Sequence, residues 1–319
     1  MYLLIFALKR LAAAIVVLFA VSVLTFLIFF AIPNGNPALR LAGRTATPAD
    51  IHNVEVAYGF NKPIYVQYVR TMKQIFTGQI QSYTQHLSVF SQIKRGLPAT
   101  LSVAIGAAIV WMLIGIALGV IGALRAGKAT DVAVSTVSFL GISSPSFVVG
   151  FILLDLFVYK THIFPQVGYV PITKDPVSWF THMILPWFSM AFLYIGIYAQ
   201  VLRSSVLDAM TTDAVRTARA KGLSPTKVMI KHVLRVSLIP IVSLWGLDFA
   251  GALAGTTLVI EVVFNLQGVG QYAYQAIGAL DVPPILVITI LGAFFVVLMN
   301  AIVDILYAVL DPRIRAGKG

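Results

Sequence analysis

"ATLSVAIGAAIVWMLIGIALGVIGAL", residues 99–124, runs without a single Asp, Glu, Lys or Arg. An α-helix rises about 1.5 Å per residue, so a run of this length exceeds the roughly 20 residues that cross the hydrocarbon core of a bilayer. Its Leu, Ile, Val and Ala are continuous, whereas a barrel strand alternates apolar and polar residues over about ten positions. Within lipid a segment must satisfy its own backbone hydrogen bonds, so such runs span as helices. The reading is an all-α integral membrane protein.

Moving outward from this run, similar stretches give six spans: about Leu11 to Ile32, Ala99 to Leu124, Val132 to Tyr159, Met183 to Leu202, Leu238 to Phe264 and Ile285 to Leu310. Composition agrees, with 319 residues that are 59% hydrophobic and only 11% charged. The first span follows Lys9 and Arg10 and is too long for the apolar region of a cleaved signal, so it reads as a retained anchor. The chain then divides into an N-terminus and first transmembrane helix (1–32), an extracytoplasmic segment (33–98), a membrane core (99–310) holding a cytoplasmic connector (203–237), and a tail (311–319).

Orientation follows from the basic residues. With the N-terminus inside, the inner set is Lys9, Arg10, Arg125, Lys128, Arg203, Arg216, Arg219, Lys221, Lys227, Lys231, Arg235, Arg313, Arg315 and Lys318, fourteen of the 23 Lys and Arg. Seven others lie in segment 33–98, and long loops translocate largely regardless of charge. Both termini are expected in the cytoplasm. The net charge of +11 sits mostly beside membrane spans, which explains it without nucleic acid. With no cysteine in the chain, disulfides and cysteine metal sites are excluded.

In the outer segment, Thr47 and Pro48 predict a helix start, and Gly59 with Pro63 predicts a break before a second, aromatic-rich helix. Short helices lying against the outer membrane surface are expected, either as packing over the bundle or as a docking or substrate-guiding element. The loop Lys160 to His182 carries Pro165, Gly168, Pro171 and Pro176 and reads as irregular.

The connector contains "RTARAKGLSPTKVMIKHVLR", residues 216–235, with six Lys and Arg. At roughly 2.5 to 3.5 kcal/mol for each such residue at mid-bilayer, burying them in lipid costs on the order of 15 kcal/mol or more. The stretch must meet water or another protein. Ala214 through Lys221 predicts one helix, Gly222 a left-handed C′ position, and Ser224 with Pro225 the N-cap and first turn of a second. Lys227, Lys231 and Arg235 recur at i, i+4 and i+8, beside the apolar Met229, Ile230, Val233 and Leu234. A helix-turn-helix DNA reader is disfavoured by the tight tether between two spans. A solvated positive loop and a handle for a cytoplasmic partner both remain open on composition.

"GALRAGKAT", residues 122–130, nearly spells a phosphate-binding loop, but Ala129 replaces the magnesium-binding hydroxyl and the run leaves a membrane helix rather than a strand. Nucleotide is not expected here, nor is a catalytic role: there is no H-E-x-x-H, and the serines of "GISSPSF" lack a placed His or Asp. Pro145 in that run is expected to bend the third span. Of the carboxylates in or near spans, Asp155, Glu261 and Asp304 lie near ends. Asp248 lies near the middle of the fifth, beside Gly246, Gly251 and Gly255. Asp248, Gly251 and Gly255 are candidates for a translocation pathway favouring cationic cargo; the alternative is a hydrogen-bonded packing residue with close helix approach at the glycines.

The chain resembles the inner-membrane permease subunits of binding-protein-dependent ATP-binding-cassette importers. Their cytoplasmic loop carries Glu-Ala-Ala, three residues, Gly, nine residues, Ile-x-Leu-Pro; here these positions are Arg216, Thr217, Ala218, Gly222, His232, Leu234 and Arg235, of which Ala218, Gly222 and Leu234 match. The departures are similar to the di- and oligopeptide (and nickel) branch. "GNPALRLAG", "KPIYVQYV", "LPATL", "SSPSF", "HMILP", "EVVFNLQGVGQ" and "LDPRIR" extend the resemblance in family order, and the long outer segment looks like a B-type permease.

The resemblance implies that Arg216, Thr217, Ala218, Gly222, Ser224, Pro225, His232, Leu234 and Arg235 form a coupling element seated in an ATPase cleft. It implies a second homologous permease, two ATPase subunits that carry ATP and Mg, an extracytoplasmic solute-binding protein, a peptide-like substrate, and a place in the bacterial or archaeal cytoplasmic (inner) membrane. No cofactor is implied for this chain, and its only other expected contact is membrane lipid. The rival reading is a self-contained channel or secondary transporter using Asp248, although the two halves show no evident inverted repeat.

Overall fold

The computed structural model describes residues 2–31, 37–42 and 46–310. The tail with Arg313, Arg315 and Lys318 lies outside the described residues, as do part of the "GNPALRLAG" run and the side chains of Lys9, Arg10 and Asp304.

In chain order, α1 (Tyr2–Phe26) ends in a π-helical turn (Leu27–Ala31) and is followed by three short helices, α2 (Pro37–Ala42), α3 (Pro48–Tyr58) and α4 (Ile64–Phe76). The start of α3 is the expected one. Thr47 Oγ1 accepts from the Asp50 amide at 3.3 Å while the Asp50 carboxylate accepts from the Thr47 amide at 2.9 Å. The Thr47 hydroxyl, donating to Asp50 Oδ2 at 2.7 Å, and the Thr47 amide favour the ionised carboxylate and hold it below its ordinary pKa. Gly59 ends the helix at φ +76°, and α4 turns back onto α1, where Tyr68 meets Ser22 at 2.8 Å and stacks edge-on against Phe26.

The core begins with α5 (Val89–Leu124), which starts ten residues before the expected Ala99 and runs straight through Pro98. Its main partner is α8 (Pro176–Met210), and between them come α6 (Ala129–Ser143) and α7 (Ser146–Leu154), the latter extended by a π-helical turn to Lys160. The close approach of α5 to α8 rests on small residues: a Cβ at Gly115 would lie 2.6 Å from Tyr198 Cβ, and one at Gly119 2.8 Å from Leu202 Cβ.

The third span corrects the expectation of one helix from Val132 to Tyr159. It breaks at Ser144–Pro145, with the two arms bent by 101°. Pro145 has no N–H to give, and Ser144 before it is forced extended at φ −101°, ψ 118°. The hydroxyl of Ser144 answers a freed carbonyl, donating to Leu140 O at 2.7 Å. Among the described residues five helices are long and apolar enough to cross a membrane, six if this bent pair is one span.

After α8 come α9 (Asp213–Ala220), α10 (Pro225–Val228), a π-helical turn (Met229–Leu234) and α11 (Arg235–Ser237). The fifth span consists of α12 (Ile239–Gly251), a π-helical turn (Ala252–Thr256) and α13 (Thr257–Val263). A short α14 (Val269–Gly278) returns to α15 (Val282–Leu310). Near the α14 end of the bundle, a largely apolar cavity of about 410 Å³ opens between α1, α5, α13, α14 and α15.

The outer segment is tied to the core through Asp281, a buried carboxylate at the start of α15 that the sequence reading passed over. It accepts from the amides of Tyr83 (2.9 Å) and Thr84 (3.3 Å) and from the hydroxyls of Thr84 (2.7 Å) and Ser82. Asp281→Ala is expected to remove the carboxylate to which both amides donate, each hydrogen bond to a charged group being worth about 1.5–3 kcal/mol. Hydrogen exchange at Tyr83 and Thr84 should then speed up on the order of 100-fold while α5 stays protected. Unchanged exchange would show that the turn is held by its neighbours alone.

Candidate coupling element and pathway residues

Residues 203–237 are helical almost throughout. Instead of ending near Leu202, α8 continues to Met210, turns through Thr211 and Thr212, and yields to α9, where Val215 and Ala218 are buried beside Val206 and Ala209 of α8. Gly222 takes the left-handed conformation expected of it, φ +74°. Ser224 stands at the N-cap position of α10 with Pro225 after it, but its hydroxyl makes no capping bond.

The second helix of the element is an extension of the fifth span. Leu238 keeps helical geometry, its amide donating to Leu234 O at 2.9 Å and its carbonyl accepting from Val242 N at 3.0 Å. The wide turn Met229–Leu234 alters the expected i, i+4, i+8 register: the buried positions, Val228 and Val233, are five apart. Lys227, Lys231 and Arg235 are all exposed nonetheless. Ser237 Oγ donates to Ser205 O at 3.0 Å and fastens this arm to α8.

The nine residues expected to couple therefore lie on one element with two kinds of environment. Arg216, Thr217, Gly222, Ser224, Pro225 and Arg235 face outward, His232 and Leu234 are half-buried, and Ala218 is only 4% exposed. Arg216 pairs with Asp213 at 3.5 Å on the surface, a contact of little energetic weight. Ala218 belongs to the buried face on which α9 meets α10 and the π-helical turn Met229–Leu234, so its small size matters to packing.

Ten residues before α9, Arg203 makes a two-pronged ion pair with Asp131: Nε to Oδ1 at 2.6 Å and Nη2 to Oδ2 at 2.7 Å. Asp131 is 5% exposed and its Oδ2 also accepts from the Gly127 amide at 2.9 Å. The near phosphate-loop run is thus a helix end, a tight turn and a second helix, with a protein carboxylate already on the Gly127 amide. The pair clamps the start of α6 to the end of α8 that leads into α9. Arg203 was legible only as part of the inner basic set, since nothing in the sequence marks a partner 72 positions away.

In the fifth span, Asp248 is half-buried and Oδ2 accepts from the Tyr198 hydroxyl at 2.9 Å. Tyr194 stands nearby, its ring against Trp111 at 4.4 Å. No Lys or Arg pairs with Asp248 among the described residues. Gly251 touches nothing tighter than Thr256 Oγ1, and Gly255 sits in the π-helical turn at φ +143° with open space where a Cβ would project. Close helix approach explains neither; within this run it falls to Gly246, whose Cβ would strike Val303 of α15. Gly255 lines the 410 Å³ cavity, whereas Asp248 and Gly251 do not, so the three candidates divide between two places.

Glu261, near the end of the fifth span, is fully buried. Its carboxylate accepts from Thr100 Oγ1 at 2.7 Å and from the Gln271 amide at 2.9 Å, while Thr100 Oγ1 accepts from the Val269 amide at 2.9 Å. Together they answer the free amides at the start of α14. A Cβ at Gly268 would lie 2.3 Å from Glu261 Oε2, which explains the glycine there. The run "EVVFNLQGVGQ" is therefore a device that docks α14 on α5 and α13.

Comparisons with known proteins agree with this arrangement. Residues 115–316 match the family described as "Binding-protein-dependent transport system inner membrane component", and residues 3–104 match the N-terminal part described for such membrane components. A probable peptide ABC transporter permease of Sinorhizobium fredii is 35% identical over 98% of this chain and 99% of its own. A dipeptide transport system permease of Bacillus subtilis is 32% identical over 98% of each chain. A glutathione transport system permease of Salmonella paratyphi A is 35% identical over 97% of this chain and 98% of its own. The chain is a multi-pass membrane protein and belongs to the family of inner-membrane components of binding-protein-dependent transport systems.

Proposed function

We propose that this chain lines one half of the passage of an ATP-driven importer of di- or oligopeptides and pairs with a second, homologous permease. Two cytoplasmic ATPases that bind ATP and Mg grip residues 203–237, and an extracytoplasmic binding protein delivers the cargo. Both termini lie in the cytoplasm of a bacterium or archaeon. The observation that carries the reading is the coupling arm: an exposed two-helix surface that follows α8 through the turn at Thr211 and Thr212, is continuous with the fifth span at its far end, and is fastened there to α8 by Ser237 Oγ on Ser205 O. A push on that surface moves two membrane helices together. The peptide cargo rests on the names of the relatives, whose substrates share a peptide backbone.

Reconstitution tests it. With the second permease, the ATPases and the binding protein, peptide uptake should require ATP, and this chain alone should give no flux. Flux from the chain alone would favour the self-contained channel or secondary transporter.

Asp248 is the pathway residue of this reading, because a mid-span carboxylate with no Lys or Arg partner among the described residues suits the charged amino group of a peptide. Asp248→Asn keeps the shape and the Tyr198 hydrogen bond but removes the charge. Uptake is expected to fall about tenfold with basal ATP hydrolysis unchanged, the size of one charge-assisted hydrogen bond. Full uptake by this variant would make Asp248 a packing residue.

A further inference from the structure

Between α3, α4 and the turn at residues 79–86 lies a polar cleft of about 170 Å³. Arg70, Tyr58, Tyr83, His86 and three glutamines line it, with no Asp or Glu among them. Each of these side chains can donate a hydrogen bond. Arg70 gives only one bond to the protein, Nη2 to Ala57 O at 3.3 Å, and forms no ion pair among the described residues. Its remaining donors have no carboxylate to meet.

The cleft is also rigid. Tyr58, Phe60 and Tyr83 pack ring against ring, Tyr58 to Tyr83 at 4.9 Å. Gln67 Nε2 donates to Phe60 O at 3.1 Å and Lys62 O at 2.8 Å, holding the turn between α3 and α4. Asp281 pins Ser82, Tyr83 and Thr84 from below. Such a preformed cleft loses little freedom when it is filled. The segment around it, residues 33–98, carries seven Lys and Arg against two Asp and Glu, an excess of +5.

From this geometry we infer that the Arg70 cleft docks an Asp or Glu side chain of the extracytoplasmic binding protein, the guanidinium taking the carboxylate while the surrounding basic segment steers the approach. Dependence on a binding protein is in the description of the family to which the chain belongs. The inference rests on the reading that residues 33–98 face outward.

The test uses the whole transporter in nanodiscs of zwitterionic lipid and the binding protein that co-purifies with it. Arg70→Ala should weaken binding about tenfold, Arg70→Glu further, and Arg70→Lys should keep part of the affinity. The loss should shrink at high salt, with ATP hydrolysis in the absence of binding protein unchanged. Wild-type affinity in both Arg70→Ala and Arg70→Glu overturns the proposal. So does an effect confined to discs of anionic lipid, which would mean that the cleft meets headgroups.

Orientation has its own readout, because the chain has no cysteine. Gln85→Cys, at an exposed position of the turn, should react with a membrane-impermeant maleimide added outside intact cells. Reaction only from the cytoplasmic side overturns the outward reading, and this proposal with it.

Discussion

Gly222→Val is expected to cut peptide uptake more than tenfold while leaving the transporter assembled and hydrolysing ATP. Gly222 joins the two coupling helices at φ +74°, with its amide on Arg219 O at 2.9 Å and the next amide, of Leu223, on Ala218 O at 3.3 Å. A left-handed residue with a Cβ costs about 1–2 kcal/mol, and β-branching makes it worse. No neighbour lies within 4 Å of the Cβ that valine would add, so the penalty is one of backbone conformation rather than a clash. The chain relieves it by changing the angle between α9, buried through Val215 and Ala218, and the arm that leads into α12. Gly222→Asn is the matched control, since asparagine tolerates this conformation far better. Uptake and ATP hydrolysis, measured on one reconstituted sample, should separate in the valine variant and stay together in the asparagine variant. Equal behaviour of the two would mean that the inter-helix angle does not govern coupling.

Asp131→Asn should have the largest effect on stability. It leaves the Arg203 guanidinium half-buried at the inner end of α8 without its counter-charge, and removing one member of a buried pair is far worse than lacking the pair. The melting midpoint in detergent is expected to drop by roughly 5–10 °C. The double variant Asp131→Leu with Arg203→Met should recover most of that loss, because an apolar pair of similar size leaves no charge uncompensated. If the double variant is no better than the single one, the ion pair is not what holds α6 to α8. In the recovered double variant, uptake per ATP hydrolysed would then report whether the clamp also transmits motion from the coupling arm.

Much of the architecture was legible because bilayer physics leaves few choices. Apolar runs such as Ala99–Leu124 must be helices, and six closely spaced charges must stay out of the lipid. Local chemistry was equally readable: Thr47 with Pro48 made the predicted helix start, and Gly222 took the predicted left-handed turn. Where the reading missed, the cause was a partner distant in sequence or a helix that did not stop. Pro145 was expected to bend a span and instead broke it, since the lost hydrogen bond could be replaced by Ser144. The fourth span was taken to end near Leu202 because the charges beyond it argued against lipid, although a helix can leave the membrane without ending.

By itself, then, the sequence determined the fold class, the approximate spans, the polar connector and the two-helix turn within it. These depend on segment length, hydropathy and the φ preferences of single residues, all local quantities. Only the tertiary structure decided that Ala218 is a buried seam residue, that Asp131 clamps Arg203, that Glu261 and Thr100 cap α14, and that Asp281 fastens the outer segment. Each of these is a polar or small side chain whose role is fixed by groups ten to about two hundred positions away. A carboxylate reads the same in one dimension whether it lines a passage, caps a helix or pairs with a guanidinium; its neighbours in space settle which charges and donors it must satisfy.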